Sequence, residues 1–135
     1  MKPLILAIDD SKAIRFLLQT ILGKKYQVVT AADAASAMFW LSKKNFPELI
    51  LADAQLPDME NWELIANLRS SYIYREIPMV VLSSLSMEHT ESNCRQLGVD
   101  KFFLKPFNPI HLIETIDQLV NEKVPGPKAR FPQAI

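Results

Sequence analysis

Residues 4–10 read LILAIDD and residues 11–23 read SKAIRFLLQTILG. The first segment is an apolar run, Leu4 to Ile8, that stops at two aspartates. It has the length of a strand, and its unbroken apolarity suits a strand buried on both faces. The second segment changes period. Ile14, Leu17, Leu18, Ile21 and Leu22 recur at i, i+3, i+4, i+7 and i+8, which predicts a helix over Ser11–Leu22 with Gly23 as its C-terminal stop. A strand that runs straight into an amphipathic helix is one β-α unit.

The rest of the chain repeats that unit. Four further apolar runs follow at Gln27–Ala31, Leu49–Ala52, Met79–Leu82 and Lys101–Leu104. Between and after them lie helical patterns over Ala34–Lys44 (behind Asp33 as N-cap), Trp62–Ser70, Met87–Leu97 and Ile110–Val120. Five β-α units predict an α/β domain over residues 1–121, with a parallel sheet between two helical layers, because right-handed crossovers place helices on both faces. Pro125, Gly126, Pro127 and Pro132 mark residues 122–135 as a Pro-rich tail or linker.

Composition narrows the function classes. Fifteen Lys plus Arg balance 15 Asp plus Glu in 135 residues, so the chain as a whole has no attraction for nucleic acid or an anionic membrane. One cysteine makes neither an internal disulfide nor a Cys-based zinc site. Gly23, Gly98 and Gly126 stand too far apart for a dinucleotide fingerprint or a P-loop. No stretch approaches the roughly 20 apolar residues of a membrane span, and the N-terminal apolar run is too short for a signal peptide. The expectation is a cytoplasmic protein without direct nucleic-acid or membrane contact.

Chemistry concentrates where the predicted strands end. Asp9 and Asp10 end the first, Asp53 the third and Ser83 the fourth, and Lys105 lies just beyond the fifth. In open α/β sheets ligands bind at that rim. Each carboxylate taken singly is explained by a helix N-cap, but the whole group is not. Carboxylates 5 Å apart repel by about 3 kcal/mol per pair at an effective dielectric near 20, so the rim requires a cation. Lys105 supplies one charge, and a hard divalent ion such as Mg2+ supplies two; zinc is disfavoured because no His or Cys joins the group. Asp53 could then attack phosphorus and form an aspartyl phosphate, with Ser83 and Lys105 holding the phosphoryl oxygens.

Asp9-Asp10-Ser11 with Arg15 one helical turn on, LILADAQLPDMENWEL over 49–64, PMVVLSS over 78–84 and GVDKFFLKPF over 98–107 occur in that order. Together they resemble the receiver domain of two-component response regulators, over about residues 3 to 121. The resemblance implies a flavodoxin-like fold with strand order 2-1-3-4-5. It also implies Asp53 as phosphoacceptor, and Mg2+ held by Asp9, Asp10, Asp53 and the main-chain carbonyl of Gln55. Ser83 becomes the switch hydroxyl, Lys105 the phosphate-pairing lysine with a cis bond to Pro106, and Phe102 the aromatic that follows the switch. The implied donor is a phosphohistidine on a sensor histidine kinase or histidine phosphotransfer protein, and the implied module is not a turnover enzyme. Homodimerisation through the fourth-helix to fifth-helix face accompanies the resemblance.

The sequence departs from the family pattern at Asn61, where a glycine is usual; asparagine is expected to take up the positive φ there. Leu85 and Gln55 flank the path of an attacking water, and an apolar Leu85 predicts slow self-dephosphorylation. An aspartyl-phosphate phosphatase of the haloacid dehalogenase kind is the alternative, but Asp9-Asp10-Ser11 lacks its Asp-x-Asp. A topoisomerase-primase nuclease wants Asp-x-Asp at the third strand, where Asp53-Ala54-Gln55 stands. A receiver-like module acting without phosphorylation is disfavoured by the intact Asp10, Asp53, Ser83 and Lys105. Trp40 and Trp62 are expected to serve packing, His89 and His111 to be solvated, and Cys94 to be a small helix residue. Lys123, Lys128 and Arg130 in the tail are too few for a nucleic-acid patch.

Overall fold

The expected alternation runs unbroken through the computed structural model, which describes residues 1–122; the Pro-rich segment, with Lys123, Lys128 and Arg130, lies outside the described residues. The order is β1 (Leu4–Ile8), α1 (Lys12–Leu22), β2 (Gln27–Ala31), α2 (Ala34–Ser42), β3 (Leu49–Asp53), α3 (Glu63–Ser70), β4 (Met79–Ser83), α4 (Met87–Leu97), β5 (Lys101–Leu104) and α5 (Pro109–Asn121). All pairings are parallel, and the sheet order is β2-β1-β3-β4-β5. This is the flavodoxin-like arrangement that the resemblance implied.

Strand alternation sorts the core into two layers. Leu6, Ile8, Ile50, Ala52, Met79 and Val81 face α2, α3 and α4, where they meet Leu41, Leu64, Ile65, Leu68 and Cys94. Ile5, Ala7, Leu49, Leu51, Val80 and Leu82 face the other way, against Leu18 and Leu22 of α1 and Leu112 and Ile116 of α5. Both faces are dry, which is why β1, β3 and β4 are apolar without a break.

Helix ends differ from the sequence reading for local reasons. Ser11 is the N-cap of α1, its Oγ accepting from the Ile14 N–H at 3.2 Å, so the helix starts one residue later. α2 stops at Ser42 rather than Lys44, because Lys44 turns into the left-handed region at φ 64°. α5 is longer than expected: Asn108 caps it by accepting from Ile110 and His111, and Pro109 occupies a first-turn position that has no amide to satisfy. Gly23 closes α1 without a positive φ. Its φ is −65°, and a Cβ there would sit 2.4 Å from the Gln19 carbonyl oxygen, so close approach is what demands glycine. β3 and β4 each extend by one residue, so Asp53 and Ser83 are themselves the last residues of their strands.

Candidate functional site

Parallel pairing brings the C-terminal ends of β1, β3, β4 and β5 to one edge. β1 and β3 are neighbours in the sheet, and Asp9 follows the one while Asp53 ends the other. Asp9 is fully buried. Its backbone N–H donates to the Ala31 carbonyl at 3.0 Å, and its Oδ1 accepts from the Ser11 N–H at 2.9 Å. Arg15 reaches back from α1 to donate to the Asp9 carbonyl at 2.8 Å, which fixes the β1–α1 turn. Asp53 is nearly as buried, with Oδ1 accepting from the Gln55 N–H at 2.8 Å. Lys105 spans the two carboxylates, its Nζ 2.7 Å from Asp9 Oδ2 and 2.5 Å from Asp53 Oδ2. The Lys105 backbone N–H donates to the Ser83 carbonyl at 2.8 Å, and the Lys105–Pro106 bond is cis.

Asp10 is exposed, yet it offers a carboxylate oxygen to the same place. One oxygen each from Asp9, Asp10 and Asp53 lie within 4.8 Å of one another. Three carboxylates less one ammonium leave a formal −2. Burial lifts the Asp53 carboxyl above the usual carboxylate value against the pull of Lys105 and the Gln55 amide, and neighbouring Asp9 adds to the rise. Burial alone would lower Lys105, but the two carboxylates outweigh it and hold the ammonium above the ordinary lysine value. The cluster as a whole keeps a surplus of negative charge that a further cation would offset. Its donors are hard oxygens without His or Cys, a set that fits magnesium.

Ser83 is fully buried at the end of β4, and its hydroxyl is engaged away from the carboxylates. It shares a hydrogen bond of 2.8 Å with Thr90 Oγ1 on α4 and accepts from the Leu85 N–H at 3.0 Å. Phe102 on β5 is half-buried beside α4, where it lines a cavity of about 290 Å³ with Cys94 and Val99. Burial pushes the Cys94 thiol up to about 11, so it behaves as an inert packing residue.

Several participants escaped the sequence reading. Thr90 lies on the inward stripe with Cys94 and Leu97, a spacing that signals burial but not the bond to Ser83. Asp58, in the loop after Asp53, accepts from the Ala34 and Ala35 N–H groups at 3.0 and 2.9 Å and so caps α2 from another segment. The positive φ expected at Asn61 falls instead on the next residue, Trp62, at 71°. Trp62 is buried, in line with a packing role, but His89 is not merely solvated. It is exposed and accepts at Nε2 from the Trp62 indole N–H at 3.0 Å.

Comparison with known proteins agrees with this fold. Residues 5–117 match the family described as the response regulator receiver domain. A two-component response regulator of Oryza sativa subsp. japonica is 34% identical over 108 residues, covering 78% of this chain and 64% of that relative. Among solved structures, a CheY-like response regulator receiver domain protein from Methanospirillum hungatei superposes with a TM-score of 0.81 at 28% identity, over 90% of this chain and 96% of that one. The receiver domain of a sensor histidine kinase from Pseudomonas aeruginosa, with a magnesium ion coordinated in its active-site cleft, shares the fold at a TM-score of 0.78 and 21% identity, over 90% of this chain and all of that one.

Proposed function

This chain belongs to the response regulator receiver family, and from that premise we propose that it accepts a phosphoryl group on Asp53 and signals by the rearrangement that follows. The observation that carries the proposal is the Lys105 ammonium bridging buried Asp9 and Asp53 from three separate strand ends. An Asp53 oxygen attacks phosphorus of a phosphohistidine. A P–O bond forms, the P–N bond breaks, and its electron pair returns to the donor imidazole. The ionised carboxylate needs no general base. Lys105, released from one carboxylate oxygen, pairs with the phosphoryl oxygens, and the Gln55 N–H keeps the other Asp53 oxygen oriented.

Asp9, Asp10, Asp53 and the Gln55 main-chain carbonyl would hold magnesium, as the donor set allows and as the magnesium-bearing receiver of similar fold suggests. The ion supplies positive charge that offsets the carboxylates and the incoming phosphoryl oxygens. Phosphorylation adds charge and acceptor oxygens, and Ser83 answers by exchanging Thr90 for the phosphoryl group. Phe102 then takes the space the β4–α4 turn leaves.

The donor is a sensor histidine kinase or a histidine phosphotransfer protein. The output passes through the α4 to α5 face, to a partner or a second copy of the chain, without nucleic-acid contact. The chain is a signalling module rather than a turnover enzyme, and residues 1–121 are its receiver unit. Among the described residues no helix is long and apolar enough to cross a membrane.

Beryllofluoride added with Mg2+ tests the proposal. Wild type is expected to show altered amide spectra around Asp53, Ser83 and α4, and Asp53→Asn none. An unaltered wild-type spectrum overturns it.

A further inference from the structure

We propose that Trp62 is a positioning residue for the acidic site, and that its hydrogen bond to His89 couples the loop behind Asp53 to α4. The functional sense of this coupling rests on the phosphoacceptor reading above; the physical tie does not.

Trp62 holds φ 71° and ψ −7° at the start of α3. A bulky side chain in the left-handed region persists only where its surroundings over-determine it. Three contacts do so. The Trp62 N–H donates to the Ala54 carbonyl at 2.9 Å, closing the loop from 54 to 62 directly behind the phosphoacceptor strand. The indole is buried among the residues that cover one face of the sheet. Its Nε1–H reaches His89 Nε2 at 3.0 Å, with the two rings 6.0 Å apart and inclined by 50°.

The closed loop carries Gln55, whose N–H orients Asp53, and Asp58, which caps α2. A shift of Trp62 therefore reaches the site through backbone. On the other side, His89 immediately precedes Thr90, the partner of Ser83. The first turns of α4 are thus tied twice, by Thr90 to Ser83 at the end of β4 and by His89 to Trp62 at the start of α3.

An indole N–H is a donor only, so His89 Nε2 must be the unprotonated acceptor. If α4 moves away, a buried N–H loses its partner, which is unfavourable. The Trp62–His89 bond therefore holds α4 in the arrangement in which Ser83 is bonded to Thr90, and opposes the exchange that phosphorylation demands. By linkage, whatever draws exposed His89 off the indole also eases binding at Asp53. A partner seated on α4 can do this without touching the site.

The test compares His89→Leu, which removes the acceptor, with His89→Gln, which keeps one. Affinity for beryllofluoride with Mg2+ is expected to rise about fivefold in His89→Leu, the population equivalent of one ordinary hydrogen bond, and to stay within twofold of wild type in His89→Gln. Unchanged or weaker binding by His89→Leu overturns the proposal. Hydrogen exchange without beryllofluoride provides the second arm. In His89→Leu, amides of residues 55–61 and 87–93 are expected to exchange faster together while β1 and β3 stay unchanged. Acceleration confined to α4 overturns the coupling. Failure of the wild type to bind beryllofluoride overturns the phosphoacceptor reading instead, and the exchange arm still decides the tie.

Discussion

Lys105 and Asp53 form an ion pair of 2.5 Å between groups 52 residues apart in sequence, and the same ammonium serves Asp9. Removing it leaves two buried carboxylates without their cation. Lys105→Met is expected to lose about 3 kcal/mol of stability in metal-free buffer, read as a lower urea midpoint at unchanged m-value. A variant as stable as wild type would mean that the carboxylates are protonated or hydrated.

Magnesium should stabilise the fold, because the site exists only when folded. At a hundred times its dissociation constant the gain is about 2.7 kcal/mol. Thermal unfolding with Mg2+ and then with chelator measures it, and Asp53→Asn should show a smaller gain. Equal gains in both proteins would place the bound ion elsewhere.

The pH dependence of stability should carry two opposite signatures. Burial raises Asp53 in the fold, so its contribution is complete below the ordinary carboxyl value of 3.8 and is lost as pH rises through the folded value. Asp53→Asn should therefore gain on wild type as pH climbs through that window. The Ala34 and Ala35 amides lower Asp58. Burial would raise Asp117, but Lys25 and Tyr26 outweigh it and the carboxyl is lowered. Both contribute above 3.8 and lose that contribution as pH falls through their folded values. Asp58→Asn should flatten the acid side of the profile, and urea titrations across pH read both effects.

Tyr26 is buried and donates to Asp117 Oδ1 at 2.5 Å, with Lys25 at 2.8 Å on the other oxygen, which joins the α1–β2 turn to α5. Tyr26→Phe should cost about 2 kcal/mol, as befits a hydrogen bond to a charged acceptor. An unchanged urea midpoint would show that the phenol contributes nothing net.

Leu85 follows Ser83 by two positions and has no polar group with which to orient a water at phosphorus. The phosphorylated chain should decay over minutes or longer, and Leu85→Asn should shorten its lifetime about tenfold. Decay within seconds in the purified wild type would contradict this.

The fold was legible because β1, β3 and β4 are apolar on both faces, and only a parallel sheet between two helical layers makes such runs sensible. Asp9, Asp53, Ser83 and Lys105 stood out because each lies at a strand end, a position visible in the periodicity alone. Thr90, Asp58 and the Trp62–His89 pair were not legible. Each acts through a partner on a different element, and a single sequence does not record which surfaces meet. The positive φ assigned to Asn61 went astray for a related reason: burial and the Ala54 bond decide that Trp62 turns, and these outweigh residue propensity.

Ser83 already accepts from Leu85 and lies against Thr90 in a fully enclosed position. A hydroxyl owns one proton, so it can donate to one neighbour at a time. A Ser83 proton given to Thr90 is therefore withheld from any other acceptor. Either hydroxyl of the Ser83–Thr90 pair can be the donor, so the pair has two proton arrangements at one heavy-atom geometry, and an acceptor placed at the rim would favour the one in which Thr90 donates and the Ser83 proton is released.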